Sequence, residues 1–293
     1  MGEPAQGRKG WHVAWRASAR AALLMAALGT SAAQAGSPIE DLAPGPIPYA
    51  LRESARSVLE RAFDNLYGCD LRDEIEIEAH VDGKVVRRHL LRVLRKNIDG
   101  RAHMLIHFVT DNDYWDTRVL KIENQDRSDD EFVWTHALGR VRRVTSAQRA
   151  DAFEGTDLTL EDLEVHRASR FEILGRAFSI VQGEPVHVLT IAPLNDVGYR
   201  RAILFIAQKD YVVLEAHYYR GENGRRPYKV SRAPRDQMLE TAGHVLPQLW
   251  IFTDYERGTE SWLRWHRRSI PEDLYDRMLS SDALETQPAS TTR

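Results

Sequence analysis

Two histidines four residues apart are the first candidates for chemistry in this sequence. His103 and His107 lie in a stretch whose pattern predicts a β-strand, where both side chains would share one face. That spacing separates them by about 13 Å, which is too far to hold one zinc ion at bond lengths of ~2 Å. We therefore predict no metal site and no cofactor.

The other reactive side chains do not form a catalytic set. The run Asp111-Asn112-Asp113 starts like a calcium loop but lacks the spaced glycine and the closing glutamate, which favours a plain loop. The single cysteine, Cys69, follows a predicted helix end and is interpreted as a small buried apolar residue rather than a nucleophile. No nucleophile elbow, zinc-protease or phosphate-loop motif is present. We predict no catalytic residues and a protein that is not an enzyme.

A basic stretch is the remaining polar feature. Residues 140–143 fall in a predicted strand, with Arg140 and Arg142 on one face and Arg143 on the other. Their guanidinium groups could contact phosphate head groups or an acidic partner. The alternative interpretation is that they are solvated arginines on the outer face of a sheet.

The N-terminus has the three parts of an export signal. Basic residues come first, an apolar run follows, and small residues end the segment: Arg8, Lys9, Arg16 and Arg20, then residues 21–28, then residues 31–35. The run is far shorter than the ~20 residues of a spanning helix, so a membrane anchor, or an amphipathic helix of the mature protein, is the weaker interpretation. We predict cleavage after Ala35, no lipid attachment because no cysteine follows, and a periplasmic location.

Composition argues against some classes of partner. The 293-residue chain has a formal net charge of −3, and loss of residues 1–35 removes four positive charges and one negative charge, leaving about −6. Lysines and arginines are interspersed with acidic residues, so no basic field indicates nucleic-acid binding. The remaining chain of about 258 residues has no visible linker, which favours one large domain, and a single cysteine permits no internal disulfide.

Sequence periodicity predicts one long helix and then a change to strands. Residues 36–47 are rich in proline and glycine and predict an extended lead-in. Apolar residues three and four apart over 49–67 predict an amphipathic helix that stops at Gly68. Strict alternation over 74–81 then predicts a strand, and Asp82-Gly83 predicts a hairpin turn.

Strand candidates continue at fairly even spacing. The first, 85–96, is mixed in pattern and is assigned as a strand because of the turn before it. The others are 102–110, 117–123, 131–137, 140–145, 169–175, 177–182, 185–192, 200–208 and 210–219. Short strands joined by tight turns predict a meandering antiparallel sheet, which at this length curls or closes into a barrel.

Few helices are expected after the first. Short ones are predicted within 157–167, 234–241 and 271–279, and 281–293 is predicted to be a disordered tail. The folded domain is placed at 48–280. A large sheet with so few helices must either fill its concave face with side chains or leave a cavity for an apolar ligand.

Two consecutive segments resemble a known family. Residues 132–144, FVWTHALGRVRRV, lead into residues 153–163, FEGTDLTLEDL. Together they resemble the central signature of the LolA-like outer-membrane lipoprotein-sorting proteins, a W-x-Y-x-P-x-L-x-R-x-R-R hairpin followed by F-x-G-S/T-D-x-S/T-Y-E-D-L. Weaker similarity extends over most of 70–265. Departures from the family pattern are Asp116, His136 and Ala137.

The resemblance implies a mainly β fold: a single-domain, curved, incomplete antiparallel β-barrel, with an N-terminal helix and short capping helices over an apolar cavity. Within the shared signature, Gly155 permits an unusual backbone angle, and Asp157 or Thr159 can cap a short helix. We interpret this segment as an architectural corner that makes no contact with a ligand.

The resemblance also implies a function. It points to a periplasmic carrier that binds a lipid or the acyl chains of a lipoprotein and moves them between membranes, with transient membrane contact. Candidate partners are an inner-membrane lipid exporter, to which the carrier would be an accessory, and an outer-membrane acceptor. The alternative is a docking protein of a membrane complex that uses Arg140, Arg142 and Arg143, and a periplasmic hydrolase comes third.

Cavity-lining residues are chosen among the apolar residues of the predicted strands and corner. A register error of one residue would invert each choice, because neighbouring side chains of a strand point to opposite faces. The predicted lipid-binding residues are Leu105, Phe108, Trp115, Leu120, Trp134, Phe153 and Phe205.

Overall fold

Strands dominate the part of the chain that the computed structural model describes, which is residues 53–109, 117–124, 127, 129–144, 155–159, 161–195 and 197–286. These residues belong to one compact unit, residues 47–293. The strands are β1 Leu71–Val81, β2 Lys84–Ile98, β3 Arg101–Val109, β4 Thr117–Ile122, β5 Asp130–Thr135, β6 Arg140–Arg143, β7 Phe171–Val181, β8 Glu184–Pro193, β9 Arg201–Ala207, β10 Val213–Tyr219, β11 Lys229–Arg232, β12 Met238–Thr241, β13 His244–Pro247, β14 Leu249–Asp254 and β15 Thr259–Ser269.

One antiparallel sheet contains thirteen of these described strands. Its order is β6-β5-β4-β3-β2-β1-β15-β14-β11-β10-β9-β8-β7, and β12 pairs separately with β13. The two end strands, β6 and β7, do not pair with each other, so the sheet is an incomplete barrel. This confirms the predicted fold class.

The N-terminal helix, α1, spans Ala55–Tyr67. The side chain of Ser54 caps it by accepting a hydrogen bond from the backbone N–H of Ser57 at 3.0 Å, and Gly68 ends it, as predicted. Its buried residues recur at the three- and four-residue spacing of an amphipathic helix: Val58, Leu59, Ala62 and Phe63. The first residues of the predicted helix, 49–52, lie outside the described residues.

Two hairpin turns have the backbone that the sequence predicts. Asp82 and Gly83 both have positive φ, 50° and 72°, as a two-residue turn between twisted strands requires. Gln182 and Gly183 repeat this geometry between β7 and β8. The two strands predicted at 169–175 and 177–182 are one strand, β7, because a bulge between Ile173 and Gly175 shifts the register without ending the strand.

The C-terminal part of the sheet departs most from the prediction. The helix predicted at 234–241 is wrong, since Arg235–Gln237 form a single 3-10 turn and Met238–Thr241 form β12. The helix predicted within 157–167 is also wrong over its described residues, which form turns. The helix predicted at 271–279 is reduced to the 3-10 turn Asp276–Leu279. Strands β11 to β15 were not predicted. Three of them, β11, β12 and β13, have only four residues each, too few to show a period.

Both faces of the sheet carry apolar layers. Helix α1 packs on one face, against buried residues of β8, β9 and β10. On the other face, Leu105 and Leu120 pack against Leu274, Leu279 and Leu284 from the end of the chain. The second layer explains why β3 is buried on both sides rather than alternating.

The prediction of a disordered tail from residue 281 is wrong for its first residues. Ser281–Thr286 form a helix, α2, and the side chain of Leu284 is fully buried. The backbone carbonyl of Leu284 also accepts a hydrogen bond from Arg118 at 2.7 Å. The segment looks disordered in sequence because Leu284 is held by long-range contacts with β3 and β4 rather than by local pattern.

We expect Leu284→Ala to lower the free energy of unfolding by about 2–5 kcal/mol, as deletion of a fully buried leucine side chain does. Urea unfolding of the purified protein measures this change. The matched control is Asp282→Ala, an exposed position of the same helix, which should change stability by less than about 0.5 kcal/mol. Equal stability of both variants and the unaltered protein would contradict the docking of α2.

Candidate functional site

The space between α1 and the sheet contains two neighbouring cavities that share part of their lining. Leu66, Tyr67, Asp162, Trp250 and Phe252 line both. The volume open to the centre of a water molecule is about 40 Å³ in the first cavity and about 90 Å³ in the second. Each exceeds the ~10–15 Å³ that one water needs. We call the two together the cleft.

The first cavity lies between the C-terminal half of α1 and strands β8, β9 and β10. Phe63 and Tyr67, four residues apart on α1, line it from the helix side. On the sheet side, Ile191 is opposite Ala202, and Ala216 of β10 is opposite a leucine of β9. The two alanines matter because a methyl group fills little of the space between helix and sheet.

The second cavity lies over β1, β2, β3 and β15. Ile75 of β1 sits between Leu91 and Trp265 on its two neighbouring strands, and all three side chains line the cavity. Ile106 of β3, opposite Val93 of β2, also lines the cavity and is almost completely buried. Cross-strand neighbours of this kind share one face of a sheet, so the lining is a continuous apolar band.

The predicted corner connects β6 to β7 and is tied to the C-terminal strands. Gly155 has φ of 75°, the left-handed conformation that glycine adopts readily. The buried carboxylate of Asp157 accepts hydrogen bonds from Thr259 and, at 2.9 Å, from Ser261. The backbone N–H of Asp157 also donates to the Ser261 hydroxyl at 2.8 Å. These bonds support the interpretation of the segment as an architectural corner.

The corner nevertheless contributes to the cleft. Leu158 is buried and lines the second cavity, and Asp162 lines both. The segment therefore borders the two cavities in addition to forming a corner. The motif anchors a loop and supplies part of a cavity wall at the same time.

Charged side chains inside the cleft have partners within the protein. Lys229 Nζ lies 2.6 Å and 2.7 Å from the two carboxylate oxygens of Asp162. Arg268 donates to Asp73 from Nε at 3.0 Å and from Nη2 at 3.1 Å. All four side chains are at most 8% exposed. A buried charge is tolerated when it is paired and hydrogen-bonded, so these groups do not need a ligand.

The ionisable groups that lack an ion-pair partner are shifted toward their neutral forms. Removal from water raises the pKa of Tyr67, Tyr199 and Tyr218, which line the first cavity. Burial likewise raises the pKa of the Glu161 carboxyl, although the backbone N–H of Gly198 donates to it at 2.8 Å. The cleft is therefore apolar with neutral hydroxyl groups, which suits a ligand that is mostly hydrocarbon.

The described residues contain no cluster of histidine, cysteine and acidic side chains that could hold a metal ion. His103 lies on the opposite face of the sheet from the cleft, where its Nδ1 is 3.3 Å from the carbonyl oxygen of Leu279. Cys69 is half-buried, and removal from water raises the pKa of its thiol. A raised thiol pKa disfavours the reactive thiolate.

Most of the predicted lipid-binding residues do not line the cleft. Leu105, Leu120 and Trp134 belong to the outer layer that the C-terminal segment covers. Phe108 lies in the cluster beneath the second cavity, and Phe205 packs against His217, with ring centroids 4.9 Å apart, in a separate cluster. Trp115 and Phe153 lie outside the described residues.

The predicted partner-contact residues lie on an end strand of the sheet. Arg140, Arg142 and Arg143 are all exposed on β6. Arg143 forms an ion pair with Asp130, and the backbone N–H of Val141 donates to Glu285 at 3.3 Å. The three arginines are accessible and lie on a strand that does not line the cleft.

Sequence reasoning missed the alanines and the helix residues of the cleft. Ala202 and Ala216 each occupy the inward position of an alternating strand, which was a usable signal, because a small residue there leaves space. Leu66 and Tyr67 extend the apolar stripe of α1 toward Gly68. Trp250 belongs to β14, one of the strands that the periodicity did not predict.

Several solved structures share this fold. A putative outer membrane lipoprotein-sorting protein domain from Vibrio parahaemolyticus superposes with a TM-score of 0.70 at 18% identity, covering 78% of this chain and 97% of that one. A DUF1329 family protein from Desulfovibrio piger gives 0.70 at 20% identity with the same coverage. A LolA superfamily protein from Nitrosomonas europaea gives 0.62 at 19% identity, covering 79% and 100%.

The chain belongs to the family whose model, described as "Uncharacterized protein", matches residues 100–286. A comparison with curated proteins gives no match. No helix among the described residues combines the length and the apolar character needed to cross a membrane.

The free energy of unfolding should depend on pH because His166 is buried in the lining of the cleft. Its ring lies against Phe63, Tyr67 and Phe171, with centroids 5.6–5.9 Å away, and removal from water lowers its pKa from 6.5 to about 4. Between these values the unfolded chain binds a proton that the folded protein does not, so this stability is present above pH 6.5 and is lost as pH falls toward 4. The loss amounts to up to ~3 kcal/mol.

Urea unfolding at several pH values between 4 and 7 measures this slope. His166→Phe keeps an aromatic ring and removes the titration, so its slope should be smaller than that of the unaltered protein. The control His266→Phe replaces a histidine whose side chain is 51% exposed and should keep the original slope. Identical slopes in all three proteins would show that the pKa of His166 is the same in the folded and unfolded states, which would contradict its burial.

Proposed function

We propose that the protein is a periplasmic carrier that holds lipid or lipoprotein acyl chains in the cleft between α1 and the sheet. The observation that carries the proposal is an apolar band continuous across the sheet, whose charged neighbours are paired within the protein. The similar solved structures include one described as a lipoprotein-sorting domain, which supports the same class of ligand. Residues 1–35 would be the export signal that takes the chain to the periplasm.

Burial of hydrocarbon supplies the binding free energy in this proposal. Each methylene removed from water contributes about 0.8 kcal/mol, so a few buried carbons give measurable affinity without any covalent step. The open volume is small beside an acyl chain, so binding requires Leu66 and Tyr67 of α1 to move away from Trp250. We infer that the closed cleft is the unloaded state and that α1 is the wall of the cleft that moves to admit a ligand.

Exchange of cargo between membranes needs contacts that the cleft does not supply. We propose that Arg140, Arg142 and Arg143 meet acidic head groups or an acidic partner, with an inner-membrane exporter and an outer-membrane acceptor as the two ends of the path. The exposure of all three guanidinium groups at the open end of the sheet supports this role. The same exposure also favours the alternative, a docking protein with no cargo.

Native mass spectrometry of protein purified from the periplasm distinguishes a carrier from a docking protein. We expect added mass on a fraction of the molecules, and organic extraction should release that mass as lipid. Protein that is repeatedly empty, and that also fails to bind a fluorescent fatty acid, would exclude the carrier. Turnover of esters or glycans in a broad substrate panel would instead favour a hydrolase.

A cavity-filling substitution tests the place of binding. Ala216→Leu adds three carbon atoms at the floor of the first cavity, and the space for about three ligand methylenes is lost. We expect affinity for a fluorescent fatty acid to fall by about 2 kcal/mol, or roughly thirtyfold. Fluorescence titration of the purified protein measures this change.

The matched control for Ala216→Leu is Thr190→Leu. Thr190 is half-buried on the opposite face of β8 from Ile191, so its substitution adds comparable bulk outside the cleft. Its affinity should match that of the unaltered protein, and circular dichroism should show that both variants are folded. If both variants bind the fatty acid equally well, the ligand does not occupy the first cavity.

A further inference from the structure

Three connections between strands lie side by side at one end of the sheet. They are residues 82–83 between β1 and β2, 220–228 between β10 and β11, and 255–258 between β14 and β15. The strands β2-β1-β15-β14-β11-β10 are consecutive in the sheet and antiparallel, so all three connections leave from the same end. The backbone N–H of Tyr255 donates to the carbonyl of Tyr228 at 2.8 Å. We call residues 81–88, 220–228 and 255–258 the tip surface.

The tip surface is basic, although the chain as a whole is acidic. It contains seven lysine and arginine residues and three acidic residues, a formal net charge of +4, whereas the whole chain has −3. Some of these charges are paired within the protein, as Arg220 is with Glu256 at 2.9 Å. Lys84, Arg225 and Arg226 are exposed, and no residue that the structure describes forms an ion pair with them. These three cations can therefore attract an anionic surface.

Exposed apolar side chains lie among these charges. Val81, Val85 and Val86 are 39%, 40% and 60% exposed, and Tyr255 in the neighbouring connection is 60% exposed. Single exposed apolar residues are ordinary on a protein surface, but these flank basic residues at the ends of hairpins. Apolar side chains next to lysine and arginine are typical of proteins that bind the surface of an anionic membrane, and tyrosine is enriched where a membrane meets water.

The hairpin of β1 and β2 presents its valines beyond the neighbouring strand. The register shifts between Ala79 and His80, and Val86 is the extra residue of the resulting bulge. Within the described residues, the pairing of β2 with β3 begins at Leu90, so residues 84–89 have a neighbouring strand on the β1 side alone. Val86 has no partner across the hairpin, and its transfer from water to an apolar environment would disrupt no strand pair.

We propose that the tip surface binds an anionic lipid membrane. Val85 and Val86 enter the interface between head groups and hydrocarbon. The phosphate groups of the lipids are met by the three exposed cations, Lys84, Arg225 and Arg226. This face is the one with which the proposed carrier would approach a membrane, so its role rests on the proposed function. An acidic protein would account for the cations, whereas a membrane accounts for the cations and the valines together, because its head groups and hydrocarbon lie next to each other.

Asp82, the acidic residue at the turn of this hairpin, provides the sharpest test. Asp82→Asn removes a charge that opposes an anionic surface, and asparagine tolerates the left-handed conformation of the turn. We expect affinity for vesicles of phosphatidylethanolamine mixed with phosphatidylglycerol to rise about fivefold in low-salt buffer. Co-sedimentation with the vesicles measures this change. The matched control is Asp99→Asn, in an exposed Asp-Gly turn at the other end of the sheet, with φ of 51° and 76°. It should leave the affinity unchanged.

Removal of the exposed cations should have the opposite effect. Their replacement by glutamine should weaken binding to the same vesicles by about tenfold or more, and the unaltered protein should bind phosphatidylcholine vesicles weakly. The variant carries Lys84→Gln, Arg225→Gln and Arg226→Gln. The matched control carries Lys209→Gln, Arg267→Gln and Arg277→Gln, at exposed positions toward the other end of the sheet. The control loses the same charge and should bind as the unaltered protein does.

Entry of the valines into the membrane is measured with an environment-sensitive fluorophore. The label is attached to Val86→Cys in a Cys69→Ser background, so that one thiol reacts. Its emission should shift to shorter wavelength when anionic vesicles are added. The same label on Lys209→Cys should show no shift, and circular dichroism should show that both labelled proteins are folded. Unchanged emission at both positions would contradict the entry of the valines.

Other outcomes would also overturn the proposal. Equal effects of Asp82→Asn and Asp99→Asn would show that net charge alone governs binding. Loss of binding confined to a variant of Arg140, Arg142 and Arg143 would place the contact on β6, five strands from β1 in the sheet. Retention on a polyglutamate support without vesicle binding would identify an acidic protein as the partner. Binding of a fluorescent fatty acid is measured on the same preparations. Intact fatty-acid binding without vesicle binding would reject the tip surface and leave the carrier, and the reverse result would reject the carrier.

Discussion

The pairing of β1 with β15 is the constraint on which the rest of the structure depends. The strands β1 to β6 form one continuous meander, and β15 joins it to β14 and the strands beyond. Without this pairing the sheet would be two separate sheets with two additional open edges. The register runs from Arg72 opposite Ser269 to Val81 opposite Thr259, with a bulge near Ile75. The bulge bends the sheet locally, which brings its two halves around the cleft.

A buried ion pair fixes this junction. Asp73 of β1 accepts two hydrogen bonds from Arg268 of β15 and a third from Trp265 Nε1 at 2.9 Å. Such a pair adds little net stability over an apolar pair of the same volume, but loss of one partner leaves a buried charge and costs about 3–5 kcal/mol. The pair therefore mainly fixes the strand register, because Asp73 and Arg268 can form these bonds only when β1 and β15 pair as they do here.

The signature segment that resembles the LolA-like proteins also holds strands in place through bonds to carboxylates. Asp157 bonds to two hydroxyls of β15, and Asp162 pairs with Lys229 of β11. A single loop between β6 and β7 thus ties together strands from the far side of the sheet. This explains how the residues most specific to the family can be architectural and still border the cavity: a loop that crosses the open side must pass over the cleft.

Local pattern predicted the elements whose contacts are local. The stripe of α1 and the Asp82-Gly83 turn follow from spacing and from backbone preference alone. The remaining features depend on long-range packing, which a local pattern does not show. Met104, Leu105 and Ile106 are all buried, because the C-terminal segment covers the outer face of β3, so alternation could not show which face carries the cleft. Leu105 and Leu120, predicted to line a cavity, lie in the layer that the C-terminal segment covers. Ala202 and Ala216 were not among the predicted residues, because a prediction based on large apolar side chains passes over alanine.

The polar groups of the cleft explain how it can serve an apolar ligand without selecting one by hydrogen bonds. Asp162 and Asp73 have cationic partners, and Arg95 donates to the backbone carbonyls of Leu66 and Cys69. A hydrocarbon chain that enters beside them removes none of these bonds, so it gains from burial without leaving a charge unpaired. Discrimination among acyl chains would then rest on the volume that Leu66, Tyr67 and Trp250 can release. Under the proposed function, a site built in this way would favour a range of lipids over one defined molecule, as a carrier that takes up and releases its cargo requires.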